Sequence, residues 1–215
     1  KLIADITISG MDVEWPLTVD LNGHVLHLHD YGSGSWIEVS HGGSLTIIDS
    51  DPTAKHRFNA ANDKWVLDSS GTETVSGGII TGGTGKPQTV AAYDSGGGAI
   101  YVEQGSSLTM NGGSIVGCSA GYGGGVFTSG TFEMNGDSAI IGCAAGSGGG
   151  VVVEQTGAFT MNGDSVIRNC AASRSGGAVM TNSGDEDGQF TMNGGDIFDC
   201  KAGRRIGGIH NSGVF

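Results

Sequence analysis

"GGGAIYVEQGSSLTMNGGSIVGCSAGYGGG", residues Gly96 to Gly125, opens and closes on the same glycine triplet and carries Thr-Met-Asn-Gly and a lone cysteine between. The phrase then returns. Met-Asn-Gly recurs at Met110, Met134, Met161 and Met192, Gly-Gly pairs end at Gly98, Gly125, Gly150, Gly177 and Gly208, and cysteines stand at Cys118, Cys143, Cys170 and Cys200. All three markers recur at 24 to 31 residues, and each cysteine follows its methionine by eight or nine. Three markers in constant order define a repeat, and a repeat of this period specifies a stacked architecture.

Each repeat reads as short strands and turns. Gly-Gly leads into an apolar run such as Ala99-Ile100-Tyr101-Val102 or Val151-Val152-Val153. A period-two strand follows, with Leu108 and Met110, Phe132 and Met134, Phe159 and Met161, and Phe190 and Met192 on one face. Asn-Gly turns the chain. A third strand carries Ile115, Ile140, Ile167 or Ile197 and ends in Cys-x-Ala. The pattern predicts an all-β fold: a right-handed, single-stranded parallel β-helix of about eight coils with three short strands each. One coil cannot bury its own apolar face, but coils stacked at roughly 4.8 Å bury each residue against its copies. The expected ladders are Cys118, Cys143, Cys170 and Cys200, and Asn111, Asn135, Asn162 and Asn193.

The expected organisation is one continuous solenoid. Residues 91–215 hold the regular coils, and residues 1–90 are less regular, with an excursion around 51–70 that carries Pro52, Trp65 and several charges. The chain starts Lys-Leu-Ile-Ala-Asp, which resembles no signal peptide, and the segment from Gly207 begins a repeat that stops at Phe215. The expectation is an excised piece of a longer solenoid whose neighbours are further β-helix coils.

Composition narrows function by exclusion. Glycine accounts for 42 of 215 residues, but with three prolines and no three-residue period the chain is not collagen. The net charge is −12, and five Lys/Arg with eleven Asp/Glu lie before Ala91 and the same numbers after it. An even acidic coat argues against nucleic acid and anionic membrane partners. No stretch approaches the ~20 apolar residues of a membrane helix.

Gly97-Gly-Ala-Ile100 and Gly176-Gly-Ala-Val179 resemble the GGA[ILV] motif of the chlamydial polymorphic membrane proteins, and Phe132-x-x-Asn135, Phe159-x-x-Asn162 and Phe190-x-x-Asn193 resemble their FxxN motif. Gly-x-Phe-Thr-Met-Asn-Gly is also similar to repeats of large adhesin-like surface proteins of gut Firmicutes. The resemblance covers about residues 15–50 and 77–215. It implies bacterial cell-surface, extracellular display and adhesion to a host protein or glycan. This chain departs from such repeats in one place: the position before x-Ala is often Asn there, and here it is Cys four times.

Several residues are candidates for chemistry. Cysteines one coil apart in a line do not converge on a metal, and two readings are open: disulfides between neighbouring coils, or buried free thiols. His27 and His29 share a strand face, where two imidazoles could bind a metal with His24 or Asp30. Asp185 and Asp187 sit in an acidic insertion whose oxygens suit Ca²⁺, although no EF-hand or calcium nonapeptide pattern is present. Tyr101, Tyr122 and Phe127 lie near the Gly-Gly corner as a candidate sugar-stacking patch. Arg168 and Asp199 are placed as neighbours across coils, the pair on which a polysaccharide lyase or glycoside hydrolase would depend; no second carboxylate aligns with them. Adhesion is the leading reading, an enzyme the alternative, and a structural stalk the third.

Overall fold

The computed structural model describes residues 1–30, 36–85, 96–154, 156–182 and 188–212. They form a β-solenoid with no helix. The first coil holds β1 (Ile6–Ile8), β2 (Met11–Val13) and β3 (Leu17–Asp20), and the second holds β4 (Val25–Leu28), β5 (Ile37–Val39) and β6 (Ser44–Ile48). The chain then leaves the solenoid for β7 (Lys55–Ala61), β8 (Lys64–Leu67) and β9 (Glu73–Ser76). The third coil holds β10 (Ile79–Thr81), β11 (Ile100–Val102) and β12 (Ser107–Met110). The fourth has four strands: β13 (Ser114–Val116), β14 (Ser119–Tyr122), β15 (Val126–Thr128) and β16 (Thr131–Met134). The fifth repeats them as β17 (Ala139–Ile141), β18 (Ala144–Ser147), β19 (Val151–Val153) and β20 (Ala158–Met161). The sixth has β21 (Val166–Arg168), β22 (Ala171–Ala172), β23 (Val179–Thr181) and β24 (Gln189–Met192), and a seventh begins with β25 (Asp196–Phe198), β26 (Lys201–Ala202) and β27 (Ile209–Asn211).

Like strands stack in parallel. Sheet I runs β1-β4-β10-β13-β17-β21-β25, sheet II β2-β5-β11-β15-β19-β23-β27, sheet III β3-β6-β12-β16-β20-β24, and sheet IV β14-β18-β22-β26. The β-helix is thus a solenoid of about six turns, where eight coils of three strands were expected. Two findings account for the difference. Residues 55–76 form a separate antiparallel sheet, β8-β7-β9, instead of winding another coil. Cys-x-Ala does not continue the third strand: the chain bends at Gly117-Cys118 and starts sheet IV. The boundary expected at residues 90 and 91 lies outside the described residues.

Register carries the repeat into the core. Leu45, Leu108, Phe132, Phe159 and Phe190 face one another down sheet III, and Ile47, Met110, Met134 and Met161 form the next column. The Phe132–Phe159 and Phe159–Phe190 ring centroids are 4.7 and 5.0 Å apart and near parallel. Each fully buried Phe contributes roughly 1.5–3 kcal/mol, and a stacked pair about 0.5–1.5 kcal/mol more. At the following turn the Asn135, Asn162 and Asn193 amides each donate to the asparagine one coil earlier, at 3.0, 2.8 and 2.9 Å. Identical residues meet because each coil offers the next the same surface.

The two glycines of the corner have different causes. Gly123 holds φ +61°, a left-handed conformation that side chains resist. A Cβ on Gly124 would stand 2.4 Å from the Gly149 carbonyl of the next coil, so backbone approach forbids one there.

Three turn aspartates make the fold acid-sensitive. Burial opposes ionisation of Asp20, but the Ser50 hydroxyl and N–H and the Asn22 N–H outweigh it and hold the carboxyl below the ordinary 3.8. The Thr53 hydroxyl and N–H lower Asp51, and the Ser70 N–H and hydroxyl lower Asp68. A carboxyl depressed in the folded state binds its proton more tightly once unfolded. The stabilisation is therefore complete above about pH 5 and lost as pH falls through 4 and below. Urea midpoints should be level between about pH 7 and 5 and should fall below about pH 4. A midpoint that stays level to about pH 3 would refute the role of these turns.

Candidate binding cleft on the outer face

Sheet I turns one column of residues inward, including Leu26, Ile80, Ile115, Ile140 and Ile167, and two outward. The outward columns run Val25, Ile79, Ser114, Ala139, Val166, Asp196 and His27, Thr81, Val116, Ile141, Arg168, Phe198. This face is apolar in its middle and needs a cover. The antiparallel sheet β8-β7-β9 is that cover, and it acts as a flap. Its Phe58, Trp65 and Val75 pack on Val25, Ile79, Val116, Ala139 and Ile141, forming a second core outside the solenoid.

Trp65 is the pin of this contact, 7% exposed, with its ring 6.0 Å from Phe58. It lies over Gly117 and Gly142. A Cβ on Gly117 would stand 2.0 Å from the Trp65 carbonyl oxygen, and one on Gly142 would stand 2.2 Å from the indole. The same left-handed corner in the next two coils is filled by Asn169 (φ 55°) and Asp199 (φ 52°). These are the residue types that tolerate this conformation best after glycine. The corner asks only for positive φ; the flap decides where it must also be bare. An ion pair from Asp63, in the β7–β8 turn, to Lys201 ties the flap tip to the seventh coil.

At the flap's edge the outer face is left as a cleft of about 340 Å³, within the roughly 300–1,000 Å³ of small-ligand sites. Thr74, Ser76, Ser114, Asp137, Arg168 and Phe198 are among its lining residues. The Arg168 guanidinium sits 5.5 Å from the centre of the Trp65 ring, and its Nη1 donates to Asn169 Oδ1 at 2.9 Å. The ring and the amide orient the guanidinium, a contact worth about 0.5–2 kcal/mol. Phe198, one coil further, is 45% exposed. Asp49 also lines the cleft but is engaged: its Oδ1 accepts from the Gly23 N–H and its Oδ2 from the Gly78 N–H, both at 2.7 Å. It fastens the second coil to its neighbours. That leaves Asp137 as the one lining carboxylate without such backbone bonds among the described residues.

The structure sorts the candidate residues. Arg168 lines this cleft, whereas Asp199 lines a separate recess of about 210 Å³ with Asp63, Trp65, Asn169 and Lys201. Tyr101 stacks on Phe127, centroids 5.3 Å apart, but Phe127 is buried and Tyr122 lies on sheet IV beneath the Arg174 guanidinium. Tyr101 also borders a polar groove with Glu103, Gln104, Ser129, Glu154 and Thr156. His27 and His29 have ring centroids 6.0 Å apart; burial, then the neighbouring His29, lowers the His27 pKa. Among the described residues no group of three or more His, Cys, Asp or Glu is arranged to hold a metal. Asp185 and Asp187 lie outside the described residues. Cys118, Cys143, Cys170 and Cys200 stand in one column as free thiols. No helix is long and apolar enough to cross a membrane among the described residues.

Sequence reasoning missed Trp65, Asp137 and Phe198 as site residues. One signal was present: the residue before each cysteine changes from Gly117 and Gly142 to Asn169 and Asp199, which marks where Trp65 no longer requires the corner to be bare. No protein-family model, curated protein or solved structure matches the chain.

Proposed function

We propose that this solenoid is an extracellular, surface-displayed adhesion module that holds a short glycan segment in the cleft beside the flap. The observation that carries the reading is an exposed aromatic ring, Phe198, next to a guanidinium already oriented by Trp65, in a concave recess. A sugar's C–H face stacks on an aromatic ring, while its hydroxyls take hydrogen bonds from Arg168, Thr74, Ser76 and Ser114. A binding role is favoured over hydrolysis by the carboxylates. Glycoside cleavage needs two working carboxyl groups across the bond, and Asp49 is committed to backbone N–H groups.

The test is a glycan array run with a panel of host extracellular proteins, beside an assay for reducing ends and unsaturated products on the same polysaccharides. Saturable glycan binding without product is expected, and Phe198→Ala and Arg168→Ala should each weaken it about tenfold or more, as truncation of an interface anchor does. Released product would move the site to enzymology. Binding of a protein alone, or glycan binding untouched by both substitutions, would overturn the cleft as the glycan site.

A further inference from the structure

The acidic coat is interrupted on the outer face of the flap. Phe58, Trp65 and Val75 point toward the solenoid, and side chains alternate along a strand. Arg57, Lys64, Thr74 and Ser76, each beside one of these three in sequence, therefore face solvent, as does Lys55 two residues before Arg57; all five are exposed. The face holds three of the chain's ten Lys and Arg. The outward rows of β7, β8 and β9 carry no Asp or Glu. Carboxylates nearby are engaged elsewhere. Asp5 and Asp68 border the same recess as Lys55 and Arg57. Asp5 accepts from the Val25 N–H at 2.9 Å and faces His24, and Asp68 accepts from the Ser70 N–H and hydroxyl at 2.8 and 2.7 Å. Asp63 pairs with Lys201. Among the described residues Lys55, Arg57 and Lys64 enter no ion pair.

Pairing sets these cations beside the cleft. Lys55 stands opposite Ser76 and Arg57 opposite Thr74, and Thr74 and Ser76 line the cleft. A row of hydroxyls thus borders the cleft, and a row of cations follows one strand beyond it, about 4.8 Å away. Lys64 pairs with Ala61, six residues along β7 from Lys55, so the cations extend over about 20 Å of strand. We infer, resting on the glycan reading above, that the bound glycan is a linear polysaccharide bearing uronic-acid carboxylates, which leaves the cleft across β9 and lies on Lys55 and Arg57.

Charge selects that occupant. The cleft's own lining sets Arg168 against Asp49 and Asp137, so the surplus of positive charge lies on the flap. A second copy of the chain, or a nucleic acid, meets a net charge of −12 around only three cations. Like-charge repulsion opposes the first, and the dense phosphates of the second make the opposition stronger. A polysaccharide with at most one carboxylate per sugar carries its charge more sparsely, and an extended chain can follow a row of cations. The Arg57 guanidinium suits a carboxylate, which it can meet through two parallel N–H···O bonds. The Thr74 and Ser76 hydroxyls are placed to bond the sugar hydroxyls between.

The test measures binding of the 215-residue chain to hyaluronan, to hyaluronan whose carboxylates have been reduced to alcohols, and to chondroitin sulfate. On the unmodified chain, which needs no variant to fold, hyaluronan should bind about tenfold or more tighter than its reduced form at about 50 mM NaCl, and about 500 mM should remove most of the difference. Lys55→Gln combined with Arg57→Gln should weaken hyaluronan about tenfold and leave the reduced polymer unchanged, with the melting temperature kept. Lys55→Arg combined with Arg57→Lys should retain binding. The cleft and the flap face fail separately. If the glutamine variant weakens binding and Phe198→Ala does not, the cleft reading falls and the acidic-glycan face stands. If Phe198→Ala weakens binding and the glutamine variant does not, the cleft stands and the flap face falls. Equal affinity for hyaluronan and its reduced form, no binding of hyaluronan, or binding of chondroitin sulfate alone would overturn the carboxylate-bearing polymer as occupant.

Discussion

Phe159→Ala unfolds at a much lower urea concentration than the wild type, a loss of about 3–5 kcal/mol. The ring is 1% exposed and stacked on both sides, against Phe132 and Phe190. Removing it takes away the transfer free energy of the side chain and both ring contacts. It also opens a void that the solenoid closes poorly, because the flanking rings are held by their own backbone ladders. In a stacked array each coil's stability depends on its neighbours, so the transition should also broaden as the coils on either side of the void separate. Phe159→Leu keeps most of the volume and should lose roughly 1–2 kcal/mol. The measurement is urea unfolding followed by circular dichroism. An alanine variant within about 1 kcal/mol of the wild type would mean that the ring column does not carry the core.

Trp65→Ala has an effect of similar size in a different place. The substitution removes the indole that fills the space above Gly142, and with it the platform under Arg168. The expected cost is again about 3–5 kcal/mol, but it falls on the flap. Amides of β7, β8 and β9 should exchange with solvent two orders of magnitude faster or more, following the tenfold change per 1.4 kcal/mol. Those of β16 and β20 should keep their protection. The cleft should fail with the flap, since Thr74 and Ser76 come from it and Arg168 loses its support. Hydrogen exchange read by mass spectrometry separates the outcomes. Unchanged exchange in residues 55–76 would show that Trp65 does not pin the flap, and equal acceleration in β16 and β20 would show that the flap is part of one cooperative unit.

The contrast between these variants shows what could be read early. Phe159 announces its role in sequence, because Phe132 and Phe190 occupy the same place in their repeats. Trp65 has no such copy. Its partners are Phe58 beside it and an outer face contributed by coils on both sides of it in sequence. Val116 and Ile141 give no indication in sequence of what covers them. The candidate aromatics illustrate the same limit: Tyr101 and Phe127 stack, while Tyr122 belongs to a sheet that was expected as the end of another strand. Arg168 was expected beside Asp199, but its partners are the indole of Trp65 and the amide of Asn169.

Sequence alone determined the parallel solenoid, its in-register ladders of Phe, Met, Asn and Cys, and the glycine corners. In a stacked repeat the contacts of a residue are its own copies, so a local pattern specifies a long-range neighbour. Only the tertiary structure decided where the chain leaves the solenoid, which stretch of outer face the flap covers, and that Asp49 is engaged by backbone while Arg168 is held by Trp65. Each of these depends on a contact between unlike segments, and such contacts leave no period in the chain.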